Sequence, residues 1–244
     1  MAMPWLKSFA RPDSSKKSSG PCRSRNASLN PPTNMLKLEI TPPWYAARPI
    51  NGGPLFKAQP KRGDWDYESK INGWRAWVFV PTGDMFNRFN QPLSITGQFS
   101  YALRALRDQF ATFPSVHGWN RCDWADVEGL ERRHNLGKGS LIVLDIPNPM
   151  EPAMPYTARN DFLQSFFAPL NDPGSQPCGL HEVRCLKRFR DPLTLWQSLQ
   201  AENQRLGCEF YEGVVAKRAD SVYPMQLHSP DAEFPFWMKH RWRF

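Results

Sequence analysis

Apolar positions along this chain recur at two different spacings. From Ser94 to Phe113, the residues Ile95, Phe99, Ala102, Leu103, Leu106 and Phe110 fall three and four apart, an apolar stripe that predicts an amphipathic helix. Leu193 to Leu206 has the same period, with Pro192 at its start and Gly207 at its end, the expected asymmetry of helix termini. Tyr156 to Phe167 predicts a shorter helix. The stretch Trp65–Phe79 is rich in Trp, Tyr, Val and Phe and predicts strands. So do Gly139–Ile146 (closed by Pro147 and Pro149), Val183–Phe189, Phe210–Lys217 and Phe236–Arg241. No repeat is present, and the elements alternate without a strict β-α-β rhythm. The expected fold class is therefore α/β (α+β) with mainly antiparallel sheets.

Residues 1–34 break this pattern. Asp13 to Gly20 is polar, basic and aperiodic, followed by Pro21 and a mixture of Arg, Asn and Ser. Burial there is too small to offset ordering entropy, so a disordered basic tail is expected, with folded sequence from about Met35 onward. Of 244 residues 41% are hydrophobic, enough for a sizeable core, while 24 Pro and 15 Gly make the chain loop-rich. Lys plus Arg number 31 against 23 Asp plus Glu, a net charge of +8 that fits a polyanionic partner. No apolar run reaches the roughly 18 residues of a membrane span, and Met1–Ala10 lacks the apolar core of a secretory signal. Cys22, Cys122, Cys178, Cys185 and Cys208 are odd in number, scattered and without a CxxC pair, which reads as free thiols in a reducing, cytoplasmic setting.

Three short segments carry candidate chemistry. In Glu68-Ser69-Lys70-Ile71-Asn72-Gly73-Trp74-Arg75, Lys70 is a candidate nucleophile at a strand end, with Gly73 allowing close backbone approach to a phosphate. The plain alternative is a surface lysine beside a turn. In Glu212-Gly213-Val214-Val215-Ala216-Lys217-Arg218, strand alternation places Gly213, Val215 and Lys217 on one face and Glu212 on the other. A ligand shared by Glu212 and Lys217 then requires a bulge or a sheet end. In Phe236-Trp237-Met238-Lys239-His240-Arg241, Trp237, Lys239 and Arg241 share a face, where paired cations suit a phosphate. Each segment also reads blandly, as a strand with polar ends or an exposed basic edge.

Their order is more specific than any one of them. Lys-x-x-Gly-x-Arg, then an acidic strand, then Glu-Gly-x-x-x-Lys, then Trp-x-Lys-x-Arg resembles the motif series of covalent nucleotidyltransferases, and in particular the adenylation domain of ATP-dependent DNA ligases. Asn87-Arg88-Phe89-Asn90 is similar to the family's Ser-Arg-Asn-Gly turn, and Asp126-Val127-Glu128-Gly129 to a degraded Asp-Gly-Glu motif. Leu141–Ile146, followed by Tyr156 and Arg159, is similar to the next motif. The resemblance spans residues 35–244. Two departures stand out: Asn72 replaces the usual Asp, as in some RNA-joining relatives, and Leu144 replaces the aromatic that stacks on adenine.

The resemblance implies an ATP-grasp-like covalent nucleotidyltransferase domain that uses ATP and Mg2+. Lys70 would form a lysine–AMP intermediate, pass AMP to a 5′-phosphate, and let a 3′-hydroxyl displace it to seal nicked double-stranded DNA. Lys217 and Lys239 would serve the phosphates, Glu68 the adenine, Arg75 and Glu128 the ribose, and Glu212 the metal. Arg88 would lie near the nucleotide. The chain reaches Phe244 five residues after Lys239. The OB-fold domain that DNA ligases carry next is thus expected to be lacking, or to come in trans from a separate OB-fold or DNA-end-binding protein. Two other readings remain: a catalytically impaired relative that binds nicked or broken DNA, and an RNA ligase.

Overall fold

A computed structural model of the chain describes residues 40–55, 63–112, 122–131, 136–147, 152–170 and 178–242. The expected tail, 1–34, and the boundary that follows it lie outside the described residues. Two sheets carry the fold. The aromatic and β-branched stretch after Gly63 forms β2 (Trp65–Ile71) and β3 (Trp74–Phe79), split by the turn at Asn72–Gly73. β2 joins a four-stranded sheet with β1 (Arg48–Asn51), β9 (Tyr211–Arg218) and β10 (Glu233–Arg241), in the order β1-β10-β9-β2. β3 enters a six-stranded sheet with β4 (Asp84–Phe86), β5 (Trp124–Leu130), β6 (Ser140–Asp145), β7 (Pro169–Leu170) and β8 (Val183–Leu186). Its order is β4-β3-β5-β6-β8-β7. Pairing is antiparallel except for β1 with β10, β6 with β8 and β7 with β8. The expected α+β class with mainly antiparallel sheets is the observed one.

Among the described residues, three helices cover the sheets. α1 (Ser100–Ala111), led in by a 3-10 turn at Thr96–Phe99, and α2 (Tyr156–Phe166) pack on β6 and β8. Phe99, Leu103 and Leu106 of the predicted stripe meet Val78, Val127, Leu141 and Val143 there. α3 (Pro192–Leu206) packs on β9 and β2, placing Leu195, Trp196 and Leu199 against Tyr67, Val214 and Ala216. Full burial of such a side chain contributes roughly 1.5–3 kcal/mol. α3 starts where Asp191 accepts the Leu193 N–H at 3.0 Å and ends at Gly207 in the left-handed region. An aromatic cluster of Trp77, Trp124, Tyr223 and Trp237 ties β3 and β5 to β10.

Two local expectations shift. The predicted strand Val183–Phe189 ends at Leu186, because the chain leaves the second sheet to meet the first. Phe189 exchanges backbone hydrogen bonds with Tyr67 at 2.8 Å each way, and Arg188 and Arg190 both turn onto buried Asp66. The last strand begins earlier than expected, at Glu233, because β1 pairs alongside its first residues. Cys122, Cys178, Cys185 and Cys208 are free thiols. Among the described residues, no helix is long and apolar enough to cross a membrane.

Candidate active site

Side-chain alternation turns Glu68 and Lys70 of β2 to one face of the first sheet. Val215 and Lys217 of β9 and Trp237 and Lys239 of β10 share that face, and all six line one cleft. The opposite wall comes from the second sheet, where Arg75 stands directly across from Glu128, with Leu144 and Leu186 beyond. Lys217 and Lys239, Lys70, Arg75, Glu68 and Glu128 are thus brought together from segments far apart in sequence.

Glu212 should point the other way, and a bulge returns it. Lys70 pairs with Gly213 and Ile71 with Tyr211, so Glu212 is the extra residue on β9. Its Oε2 lies 2.7 Å from Lys70 Nζ and 3.1 Å from Arg241 Nε. Gly213 makes the bulge possible. Its φ is +151°, and a Cβ there would sit 1.9 Å from the His240 carbonyl oxygen. Lys239, half-buried nearby, has its ammonium held below the usual lysine range, first by burial and then by Arg48, Arg241 and Lys70.

A second lysine–glutamate pair forms the floor. Lys217 Nζ is 2.8 Å from Glu68 Oε2 and donates to the Leu144 carbonyl at 3.1 Å. It also lies over the rings of Trp237 (4.4 Å) and Tyr156 (4.8 Å). Glu68 Oε1 accepts from Tyr156 Oη at 2.7 Å and Asn160 Nδ2 at 3.1 Å. Burial raises the Glu68 carboxyl, while Lys217 pulls it down. The position expected to read adenine therefore has both carboxylate oxygens engaged by the protein.

Arg75 is also committed to the protein. It grips Asp126 with Nε (2.9 Å) and Nη2 (2.5 Å), and Nη1 donates to the Ala47 carbonyl. Burial disfavours its charge, but Asp126 more than offsets this and holds the guanidinium strongly protonated. Tyr223 Oη donates to Asp126 as well, at 2.9 Å. Beside it, Glu128 Oε1 accepts the Gly73 N–H at 3.0 Å. Burial pushes the Glu128 carboxyl up to about 7 against the pull of Lys70 and Arg75. A Cβ on Gly73 would meet Glu128 Cγ at 2.7 Å, so the close approach this glycine permits is to Glu128.

Arg88 is not brought into this cluster. It is exposed on the turn after β4, with its guanidinium 4.5 Å from the Phe89 ring centre, and does not line the cleft. The Asn72 side chain turns to the Glu209 carbonyl, 3.4 Å away. Leu144 does line the cleft, on the wall facing Val215 and Trp237. Asn160 and Leu186 were not singled out from sequence; Asn160 lies one helical turn beyond Tyr156, the spacing that could have found it.

Among the described residues, no group of three or more His, Cys, Asp or Glu side chains is arranged to hold a metal. Mg2+ that arrives with a nucleotide's phosphates needs only one or two protein carboxylates. Glu212 and Glu128, both close enough to Lys70 to interact with it, have that chemistry.

No protein-family model matches the chain, and no curated protein sequence does. Solved structures do match. One, called "Pmar-Lig_Pre", is 16% identical over 82% of this chain, with a TM-score of 0.50. The ligase domain of LigD from M. tuberculosis is 19% identical over 81% of this chain and 59% of its own, with a TM-score of 0.49. Chlorella virus DNA ligase-adenylate is 15% identical over 80% of this chain and 67% of its own, with a TM-score of 0.44. The chain spans about half of the first structure, 47% of its length. The fold is similar to that of the first of these structures, with two mainly antiparallel sheets around a cleft.

Proposed function

We propose that this chain is an ATP-dependent polynucleotide ligase, with nicked double-stranded DNA as its substrate, working through a lysine–AMP intermediate on Lys70. The observation that carries this reading is the placement of Lys70 in a cleft lined also by Lys217, Lys239, Arg75 and Glu128, with Glu212 in contact with Lys70. In the first step, Lys70 Nζ attacks the α-phosphorus of ATP, the bond to the β-phosphate oxygen breaks, and pyrophosphate leaves. An ammonium has no lone pair to attack with, so Lys70 must first lose a proton, and Glu212 Oε2 is in contact to accept it. Lys239 and Lys217 offset charge on the phosphate oxygens from fixed positions. Leu144, Leu186 and Val215 offer the base apolar surface, Glu68 contributes through Lys217, and Arg75 and Glu128 border the ribose. Glu212, with Glu128, would hold Mg2+, which when bound adds positive charge at the phosphates. AMP then passes to a 5′-phosphate, and a 3′-hydroxyl displaces it as the strand closes. Duplex is held through backbone phosphates and the basic surface, so binding weakens with salt and depends little on base sequence.

Incubation with α-labelled ATP and Mg2+, followed by denaturing electrophoresis, tests this directly. The label should stay on the protein, and Lys70→Ala and Lys70→Arg should both lose it, since a guanidinium stays protonated. A labelled Lys70→Ala protein would place the nucleophile elsewhere. An unlabelled wild type that still binds nicked DNA would favour the binding-only reading, to which Asn72 points.

A further inference from the structure

Asn160 sits on α2, behind the cleft floor, and is almost completely buried. Its Nδ2 donates to Glu68 Oε1 at 3.1 Å and to the Leu186 carbonyl at 3.1 Å. An amide NH2 carries two protons, so one group can make both bonds. The acceptors belong to different sheets: Glu68 lies on β2 of the first and Leu186 on β8 of the second, and both residues line the cleft. Asn160 Oδ1 in turn accepts from Gln164 Nε2, which sets the amide's orientation. Lys217 makes the companion link, from Glu68 to the Leu144 carbonyl of β6.

We propose that Asn160 is a positioning residue that fixes the spacing of the two sheets at the cleft floor and holds Glu68 turned toward Lys217, so that it sets nucleotide affinity without touching the nucleotide. This rests on the reading of the cleft as an ATP site. The chemistry selects an amide. A leucine would remove a donor from Glu68 and from Leu186 and leave the Lys217 link without its companion. An ionised aspartate would set a second carboxylate against Glu68, but once it is protonated its hydroxyl again supplies a donor. Lys217 of β9, Tyr156 of α2, Asp145 of β6 and Cys185 of β8 also face Glu68. All are retained in Asn160 variants, so the wild-type pH profile is the reference.

The test uses the full chain and measures equilibrium ATP binding and single-turnover labelling of Lys70 between pH 5 and 8. Asn160→Leu should weaken ATP about tenfold at every pH while the rate at saturating ATP stays within about threefold. Asn160→Asp should match that loss at pH 8 and recover to within about threefold of wild type near pH 5. Gln164→Ala, at a partly exposed position, should weaken ATP about twofold to fivefold with the saturating rate unchanged. Unchanged affinity in these variants, or equal losses of affinity and rate with no pH recovery in Asn160→Asp, would overturn the proposal. If Asn160→Leu does not fold, Asn160→Asp at low pH and Gln164→Ala decide the question alone. A wild type that takes no label from ATP defeats the ligase reading instead, so the two failures are told apart.

Discussion

Two lysines of the cleft, Lys70 and Lys217, each pair with a glutamate at nearly equal separations and in different surroundings. Lys70 and Glu212 meet at 2.7 Å with side chains 18% and 23% exposed. Lys217 and Glu68 meet at 2.8 Å with side chains 4% and 2% exposed. Distance does not distinguish them; solvent and the remaining partners do. Glu212 shares one oxygen between Lys70 and Arg241, so it can exchange one cation for the other as the charge on Lys70 changes. Lys217 is wedged between two aromatic rings and bonded to a carbonyl as well as a carboxylate. The mouth pair suits a group that must lose a proton and form a bond. The floor pair suits a charge that must stay in place, because separating it would strand an ion in a dry interior.

The largest effect should come from breaking the floor pair. Lys217→Met leaves Glu68 buried without its cation and should destabilise the fold by about 3–5 kcal/mol. Combining it with Glu68→Gln should restore a large part of that loss in urea unfolding. A single variant as stable as wild type would mean that the floor pair does not differ from the mouth pair as argued. Next, Gly213→Ala drives a Cβ into the His240 carbonyl and should destabilise by about 2–3 kcal/mol. It should also slow labelling, because the bulge that delivers Glu212 to Lys70 is lost.

Glu128 gives a pH-dependent test of the wall between the two pairs. Its carboxyl sits near 7 in the folded chain and near the ordinary 4.5 when unfolded, so the native state holds the extra proton between those values. The corresponding stability is fully present below about 4.5 and is lost as pH rises through about 7. The wild type should therefore lose on the order of 1–3 kcal/mol relative to Glu128→Gln between pH 5 and 8. Thermal melts of the two proteins that run parallel across this range would show that Glu128 is not held protonated. The smallest effect belongs to the mouth. Lys70→Ala should change stability by under about 1 kcal/mol, as for other partly exposed ion pairs, although it removes all labelling.

How much was legible beforehand varies with the kind of residue. The helix stripes at Ile95–Phe110 and Leu193–Leu206 were readable because an apolar face is written directly in spacing. The strands β2, β3, β6 and β9 were readable from their aromatic and β-branched content. β1, β4 and β7 are short, and a few residues of strand carry little periodic signal. Alternation alone called for either a bulge or a sheet end if Glu212 and Lys217 were to share a ligand; that the strand is bulged at Glu212 followed from the register against β2. Asn160 gave no such signal, because an asparagine on a helix carries no mark of the two walls it joins.

The linear sequence determined the ordered motifs, the basic excess, and the sets of residues that share a face on each strand, since these depend on identity and local period. Lys70 with Glu68, and Lys217 with Val215, were fixed relative to one another in that way. Tertiary structure decided which of these residues meet. It set Glu128 against Gly73, closed Arg75 onto Asp126, left Arg88 outside the cleft, and gave Lys70 and Lys217 different surroundings. These outcomes depend on burial and on partners from distant segments, and the charge of a lysine or glutamate is set by its dielectric surroundings and neighbouring ions as much as by its own chemistry.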